Sequence, residues 1–217
     1  MKNNLKSVPN KLTLAIHSTD NSFGFACRNN NDEDSDRIFI KNLKNDLCNN
    51  LVIDFNEFLS KENLQKVKKV SVSIGPGNFN ASRLIVVLAR TISQQIKCPL
   101  DSISSFELIS KRIAKSNHIY SNNQSFWIYK KLKRKGFIAG QYKVSISEGQ
   151  IKELTIEEKV VPKIVQELND KELNFQANYK EEEDLKELLN FANQNSENMK
   201  LRSWEKVLPL YPLSPFN

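Results

Sequence analysis

One corner limits the folds open to this chain more than any other stretch. Val70-Ser71-Val72-Ser73-Ile74 runs into Gly75-Pro76-Gly77-Asn78, and a long apolar run follows. The first part alternates as a strand does. Glycine allows backbone shapes closed to other residues, and proline stiffens the corner. From Asn80 to about Ile96 the chain carries Leu84, Ile85, Val86, Val87, Leu88, Ala89 and Ile92. That predicts a helix apolar almost all round and buried on more than one side. The corner has two readings: a tight strand-to-helix turn, or an anion site made by amides at the helix start.

The elements around this corner set its context. Leu12, Leu14 and Ile16 alternate in a strand over Lys11–Ser18, and Thr19-Asp20-Asn21-Ser22 is turn chemistry. Phe23, Phe25 and Cys27 return as a second strand, antiparallel to the first. Asn29–Asp36 reads as a polar loop and Arg37–Ile40 as a third strand. Leu47, Leu51, Phe55, Phe58 and Leu59 predict a helix over Asn45–Ser60. Lys69–Ile74 and Pro99–Ile103 are strands, and Ser104 with Glu107 makes a capping box that opens a further helix. The predicted order is β-β-β-α-β-α-β-α.

The second half predicts strands over Phe126–Leu132, Phe137–Ser147, Gln150–Val161 and Leu173–Tyr179. Short helices are expected at Pro162–Leu168 and Glu181–Asn190. Three prolines make Leu208–Pro215 extended. The expected division is a polar tail over 1–10, a first domain over 11–115, a smaller second domain over 116–207, and an extended tail over 208–217.

The corner and its flanks resemble the TsaB (YeaZ) family. Gly75, Pro76, Gly77, Phe79 and Arg83 match that family's Gly-Pro-Gly-Ser-Phe-Thr-Gly-Leu-Arg signature. Leu14-Ala15-Ile16-His17-Ser18-Thr19 is similar to its opening Ala-Ile-Asp-Thr-Ser strand, with His17 where the family has Asp. Cys98-Pro99-Leu100-Asp101-Ser102-Ile103-Ser104-Ser105-Phe106-Glu107 is similar to its Ser-Ser-Leu-Glu strand and helix, and Val207–Pro212 to its closing Pro-x-Tyr segment. The resemblance implies an α/β, actin-like ATPase (ASKHA, ribonuclease H-like) fold with a smaller, degenerate second α/β domain. It also implies a non-catalytic partner of a TsaD-like enzyme in N6-threonylcarbamoyladenosine modification at position 37 of tRNA. In that scheme a TsaE-like ATPase is a further member, tRNA is met indirectly, and ATP and metal belong to the partner enzymes.

The residues themselves weigh against independent chemistry. The six glycines stand at positions 24, 75, 77, 136, 140 and 149, none beyond Gly149, so the second half lacks a glycine-rich nucleotide loop. A neutral imidazole at His17 cannot replace a carboxylate on magnesium. His17, Asp20, Gly75, Gly77 and Asn78 are therefore only weak candidates for cofactor binding, and the alternative is a divergent ATP-dependent kinase, ATPase or acyltransferase using them. Two histidines, His17 and His118, offer no HExxH motif, and no nucleophile elbow is present. We expect no catalytic and no metal residues. Cys27, Cys48 and Cys98 are too scattered for a zinc site or disulfide framework and are expected to be reduced thiols.

Binding is what remains. The resemblance implies that the two helices of the first domain meet the partner, through Leu47, Leu51, Phe55, Phe79, Arg83, Val86, Val87 and Arg90. The same surface could make a homodimer instead, or the second helix could be wholly core. The formal charge is +7, and Lys130, Lys131, Lys133, Arg134 and Lys135 crowd into one turn. They are candidate tRNA-phosphate contacts, or a solvated hairpin tip with no aromatic platform beside it. The N-terminus has no apolar stretch long enough for a signal peptide and no segment is long enough to span a membrane, so the chain is expected in the cytoplasm with no membrane contact.

Overall fold

A computed structural model describes residues 11–43, 47–133, 136–146, 154–194 and 203–212, without the side chains of 33–35 and 47–49. Three hairpin-linked strands come first, β1 (Leu12–Ser18), β2 (Ser22–Asn29) and β3 (Asp32–Asn42). Helices α1 (Leu47–Phe58) and α2 (Lys61–Leu64) lead to β4 (Val67–Ser73). Helix α3 (Phe79–Ile96), β5 (Leu100–Ile103) and α4 (Ser105–Ser116) complete the first half. The second half holds β6 (Ser125–Lys131), β7 (Phe137–Ile146), β8 (Leu154–Val165), β9 (Asn174–Gln176) and α5 (Glu181–Gln194), then a 3-10 turn at Trp204–Lys206.

The strands make a five-stranded sheet in the order β3-β2-β1-β4-β5 and a four-stranded sheet in the order β8-β7-β6-β9. In the first, β1, β2 and β3 pair antiparallel, whereas β1, β4 and β5 pair parallel. This is the actin-like α/β arrangement that the resemblance implies. Its inner strands are covered on both faces, which is why β1 reads Leu-Ala-Ile with no charged residue between Leu12 and Ile16.

On one face of the large sheet, Leu51, Phe55 and Phe58 of α1 and Ile85, Val86 and Ala89 of α3 pack on Leu14, Phe25 and Val72. On the other face, Leu185, Leu188 and Leu189 of α5 pack on Ala15 and Ala26. Helix α4 turns mostly to the small sheet, placing Phe106, Ile109 and Ile113 against Phe126, Ile128 and Tyr142. The cores therefore do not divide at residue 115: α4 serves the small sheet, and α5 returns from beyond it to cover the large one.

That return needs a flat landing place. A Cβ built on Gly24 would lie 2.6 Å from the Phe39 carbonyl oxygen and 2.8 Å from Leu185 Cδ1. We predict that Gly24→Ala destabilises the chain by about 1–3 kcal/mol through overpacking, read as a lower urea midpoint with unchanged slope.

Several expectations change in the structure. Asn29–Asp36 is not a loop: β2 runs to Asn29, Asn30-Asn31 turns, and β3 begins at Asp32. The acidic stretch can join a strand because Arg28 reaches across to Asp36 through two hydrogen bonds of 2.6 and 2.7 Å. Pro162–Leu168 is not a helix: β8 continues to Val165 along β7. Pro162 sits where the β7–β8 register shifts, so its missing N–H breaks no regular ladder. The strand expected over Leu173–Tyr179 is only Asn174–Gln176. The expected tail over 1–10 and the end of the chain past 212 lie outside the described residues, as does the expected strand start at 150. Among the described residues no helix is long and apolar enough to cross a membrane.

Candidate functional site

The Gly75 corner faces the β1–β2 turn, the end of the small sheet and the start of α5. Gly75 has φ +101, which side-chain-bearing residues rarely adopt, and the Gly75–Pro76 peptide is cis. Contacts from the chain itself hold the corner, beside a small cavity lined by Pro76, Gly77, Phe79, Ser82, Leu210 and Tyr211. Gly75 O accepts from Ser105 N at 2.7 Å, and Asn78 N donates to Thr19 O at 3.1 Å. The Tyr179 hydroxyl donates to Pro76 O at 2.6 Å, and Leu210 N donates to Ile74 O at 2.8 Å. A Cβ at Gly77 would sit 3.4 Å from Ser18 O, Thr19 O and Ser82 Oγ.

A nucleotide with its magnesium, the group this fold implies, would meet these residues at the corner. Asp20, the one carboxylate in the turn, is bonded to Lys130. The α3 start is capped from within, since Asn78 Oδ1 accepts from Ala81 N at 3.1 Å. The residues present do not fit a phosphate and its metal. Among the described residues no group of three His, Cys, Asp or Glu is placed to hold a metal ion.

His17 lies beneath the corner, 1% exposed. Its Nδ1 is 2.7 Å from Ser73 Oγ, and Asp184 Oδ2 lies 4.0 Å from Nε2. Burial pulls the imidazole down to about 4, so it is neutral at neutral pH and the approach to Asp184 is no ion pair. Nε2 makes no hydrogen bond. Ser73, His17 and Asp184 thus lie in a row without forming a working triad: the histidine–carboxylate bond is missing, and all three are buried. Of the two ring nitrogens of His17, only Nδ1 has a hydrogen-bond partner. No motif marks Asp184, whose charge is met by Arg112 Nη2 at 2.7 Å.

The helix faces need correction. Leu51, Phe55 and Val86 are buried at 4%, 3% and 0% exposure, because they are the contacts of α1 and α3 with the large sheet. They cannot meet a partner. Arg90 is half-buried with its guanidinium over the Trp204 ring at 5.5 Å, holding the C-terminal turn. Val87, Phe79 and Arg83 are exposed, and Arg83 lies over the Phe79 ring at 5.4 Å. The Leu47 side chain lies outside what is described. Sequence reading missed Val52 and Ile53 of α1, which are 56% and 54% exposed. Their signal was present: both are apolar and stand off the Leu51–Phe55–Phe58 stripe.

Of the basic run, Lys130 is tied to Asp20, whereas Lys131 and Lys133 are exposed. Arg134 and Lys135 lie outside the described residues. The absence of aromatic rings beside this run is also corrected: Tyr129 and Phe137 close its two ends, with ring centroids 5.6 Å apart.

A groove of about 450 Å³ opens elsewhere, between α4, α5 and β8, lined by Glu107, Lys111, Ile156, Glu187 and Phe191. Burial, then the nearby Glu158 charge, pushes Glu107 up to about 7, against a hydrogen bond from the Ser104 backbone. A raised carboxyl stabilises below its ordinary 4.5 and loses that as pH rises through 7. We predict that Glu107→Gln gains in melting temperature relative to the unaltered chain as pH goes from 4.5 to 7, measured by melts at fixed ionic strength.

No protein-family model and no curated protein matches the sequence. Among solved structures, YeaZ from Pseudomonas aeruginosa aligns with a TM-score of 0.60 at 16% identity, over 93% of this chain and 99% of that one. An uncharacterized protein described as similar to the peptidase YeaZ from Pseudomonas aeruginosa gives 0.59 at 14% identity, over 94% and 100%. The chain is YeaZ-like in fold over nearly its whole length, at the low identity that the altered corner and opening strand lead one to expect.

Proposed function

We propose that this chain is a divergent, non-catalytic partner subunit of a TsaD-like enzyme in threonylcarbamoyladenosine modification of tRNA. The observation that carries the reading is the corner itself. A YeaZ-like fold holds its Gly-Pro-Gly loop shut with Thr19, Tyr179, Leu210 and Ser105, so the loop supports architecture in place of nucleotide chemistry. Exposed Val52, Ile53 and Val87 on α1 and α3 then supply an apolar surface of the kind a partner covers. ATP and metal belong to the partner enzymes, a TsaE-like ATPase among them, and the chain works in the cytoplasm.

The same helices could pair two copies of the chain when the partner is absent. The non-catalytic half of the reading is tested with magnesium-ATP on the lone chain. Millimolar nucleotide should leave its melting temperature unmoved. A rise that follows mass action would mean an enzyme-like site and would contradict the proposal.

A further inference from the structure

Among the described residues, helices cover the small sheet on one side only. Its inner face carries Phe126, Ile128, Ile138, Tyr142 and Val144 against α4. Side chains alternate along a strand, so the residues between these point the other way. On β6 those are Trp127, Tyr129 and Lys131, which pair across to Gln141, Ala139 and Phe137 of β7. Ala139 pairs in turn with Lys163 of β8, and Tyr129 with Gln176 of β9.

None of Trp127, Tyr129 or Phe137 belongs to any of the three apolar clusters. Among the described residues no helix packs on this face, since α1, α3 and α5 serve the large sheet and α4 the inner side. The face is nevertheless aromatic, with Tyr129 and Phe137 edge-to-face at 87° and Trp127 Nε1 anchored on Glu172 at 2.7 Å. Its cations suit a polyanion: Lys131, Lys133 and Lys163 are exposed and have no acidic partner among the described residues. Lys143 stands on the same face, and the exposed Glu157 opposite it is bonded to Lys159.

We propose that this face, with its half-buried rings, binds single-stranded nucleic acid, with bases stacked on Tyr129, Phe137 and Trp127 and phosphates on Lys131, Lys133, Lys143 and Lys163. Flat rings give a sequence-tolerant surface for bases, and lysines beside them track the backbone. A duplex buries its base faces and cannot use the rings. The inference goes beyond the partner reading and stands without it. Acidic proteins fit the lysines but leave the rings unexplained, and a second copy would bring lysine against lysine.

The test is fluorescence anisotropy of the full chain with labelled twelve-nucleotide RNA and DNA strands and the matching RNA duplex. Single strands should bind more tightly than the duplex, with a log–log salt slope of about −3 for four phosphate contacts. Tyr129→Ala and Phe137→Ala should each weaken binding about fivefold or more. Tyr129→Phe should keep it, and Lys131→Gln should lower the slope by about 0.7. Thermal melts confirm that each variant is folded, and the last two serve should an alanine variant fail. The proposal is overturned by no binding at low salt, by binding indifferent to the rings, by equal binding of the duplex, or by a dimer whose formation hides this face. RNA bound more tightly than DNA of the same sequence would identify the strand as RNA, and equal binding would support the shared chemistry.

Discussion

Replacing Arg112 with methionine should cost about 3–5 kcal/mol of stability at neutral pH, because it strands a buried carboxylate. Asp184 is 2% exposed, and its Oδ1 is held by Arg112 Nη2 at 2.7 Å. Its Oδ2 accepts from Lys180 N at 2.8 Å, one turn back at the start of α5. The same guanidinium donates to Asn178 O at 2.8 Å, tying the approach of α5 to α4. Burial already raises Asp184 above its ordinary 3.8, against the pull of Arg112. Removing the guanidinium raises it further. A raised carboxyl is stabilising below its unfolded value and loses that as pH rises, so the deficit of the variant should grow from acid to neutral pH. Arg112→Met with Asp184→Asn should recover much of the loss, since no charge is then left behind. Urea titrations at several pH values give both results. A single variant as stable as the parent would mean that Asp184 is not charged in the folded chain.

The second large effect is expected at the proposed partner surface. Val87→Asp should weaken association with the TsaD-like enzyme about thirtyfold or more, the size of a hot-spot loss, while shifting stability by no more than about 0.5 kcal/mol. Val87 is 57% exposed, so its aspartate stays hydrated when the chain is alone. Val86, its neighbour, is 0% exposed, and an aspartate there would test only whether the core survives. Ile53→Asp should behave like Val87→Asp if α1 and α3 share one interface. The lone-chain melt and a pull-down separate the two quantities.

What could be read in the sequence follows from what period and capping carry. The β-β-β-α-β-α-β-α order was legible, apart from the short α2 that it omits, because β1, β4 and α3 are buried deeply enough to repeat cleanly. The Ser104–Glu107 capping box was legible too, and Glu107 N does donate to Ser104 Oγ at 3.0 Å. The return of α5 to the large sheet was not, because the acidic start and Leu185–Leu188–Leu189 stripe of a helix do not say which sheet it covers. The β2–β3 hairpin was hidden by its Asn and Asp content, which hydrogen bonds between strands outweighed.

The closed corner was half legible. Gly75-Pro76-Gly77 marked the place, but Tyr179 and Leu210, which fill it, lie more than a hundred residues downstream with no motif of their own. The helix-face residues show the limit most clearly. A nearly all-apolar α3 suggested two buried sides, whereas one side is buried and Val87 is left in water. Val86 and Val87 are identical in type, and only the sheet beneath them tells them apart.

The proposed role rests on one association. Size-exclusion chromatography with light scattering, on this chain mixed with the TsaD-like enzyme of the same organism, measures it directly. A single complex containing both chains is expected, lost with Val87→Asp. Two folded proteins that elute apart, with and without nucleotide, would contradict it.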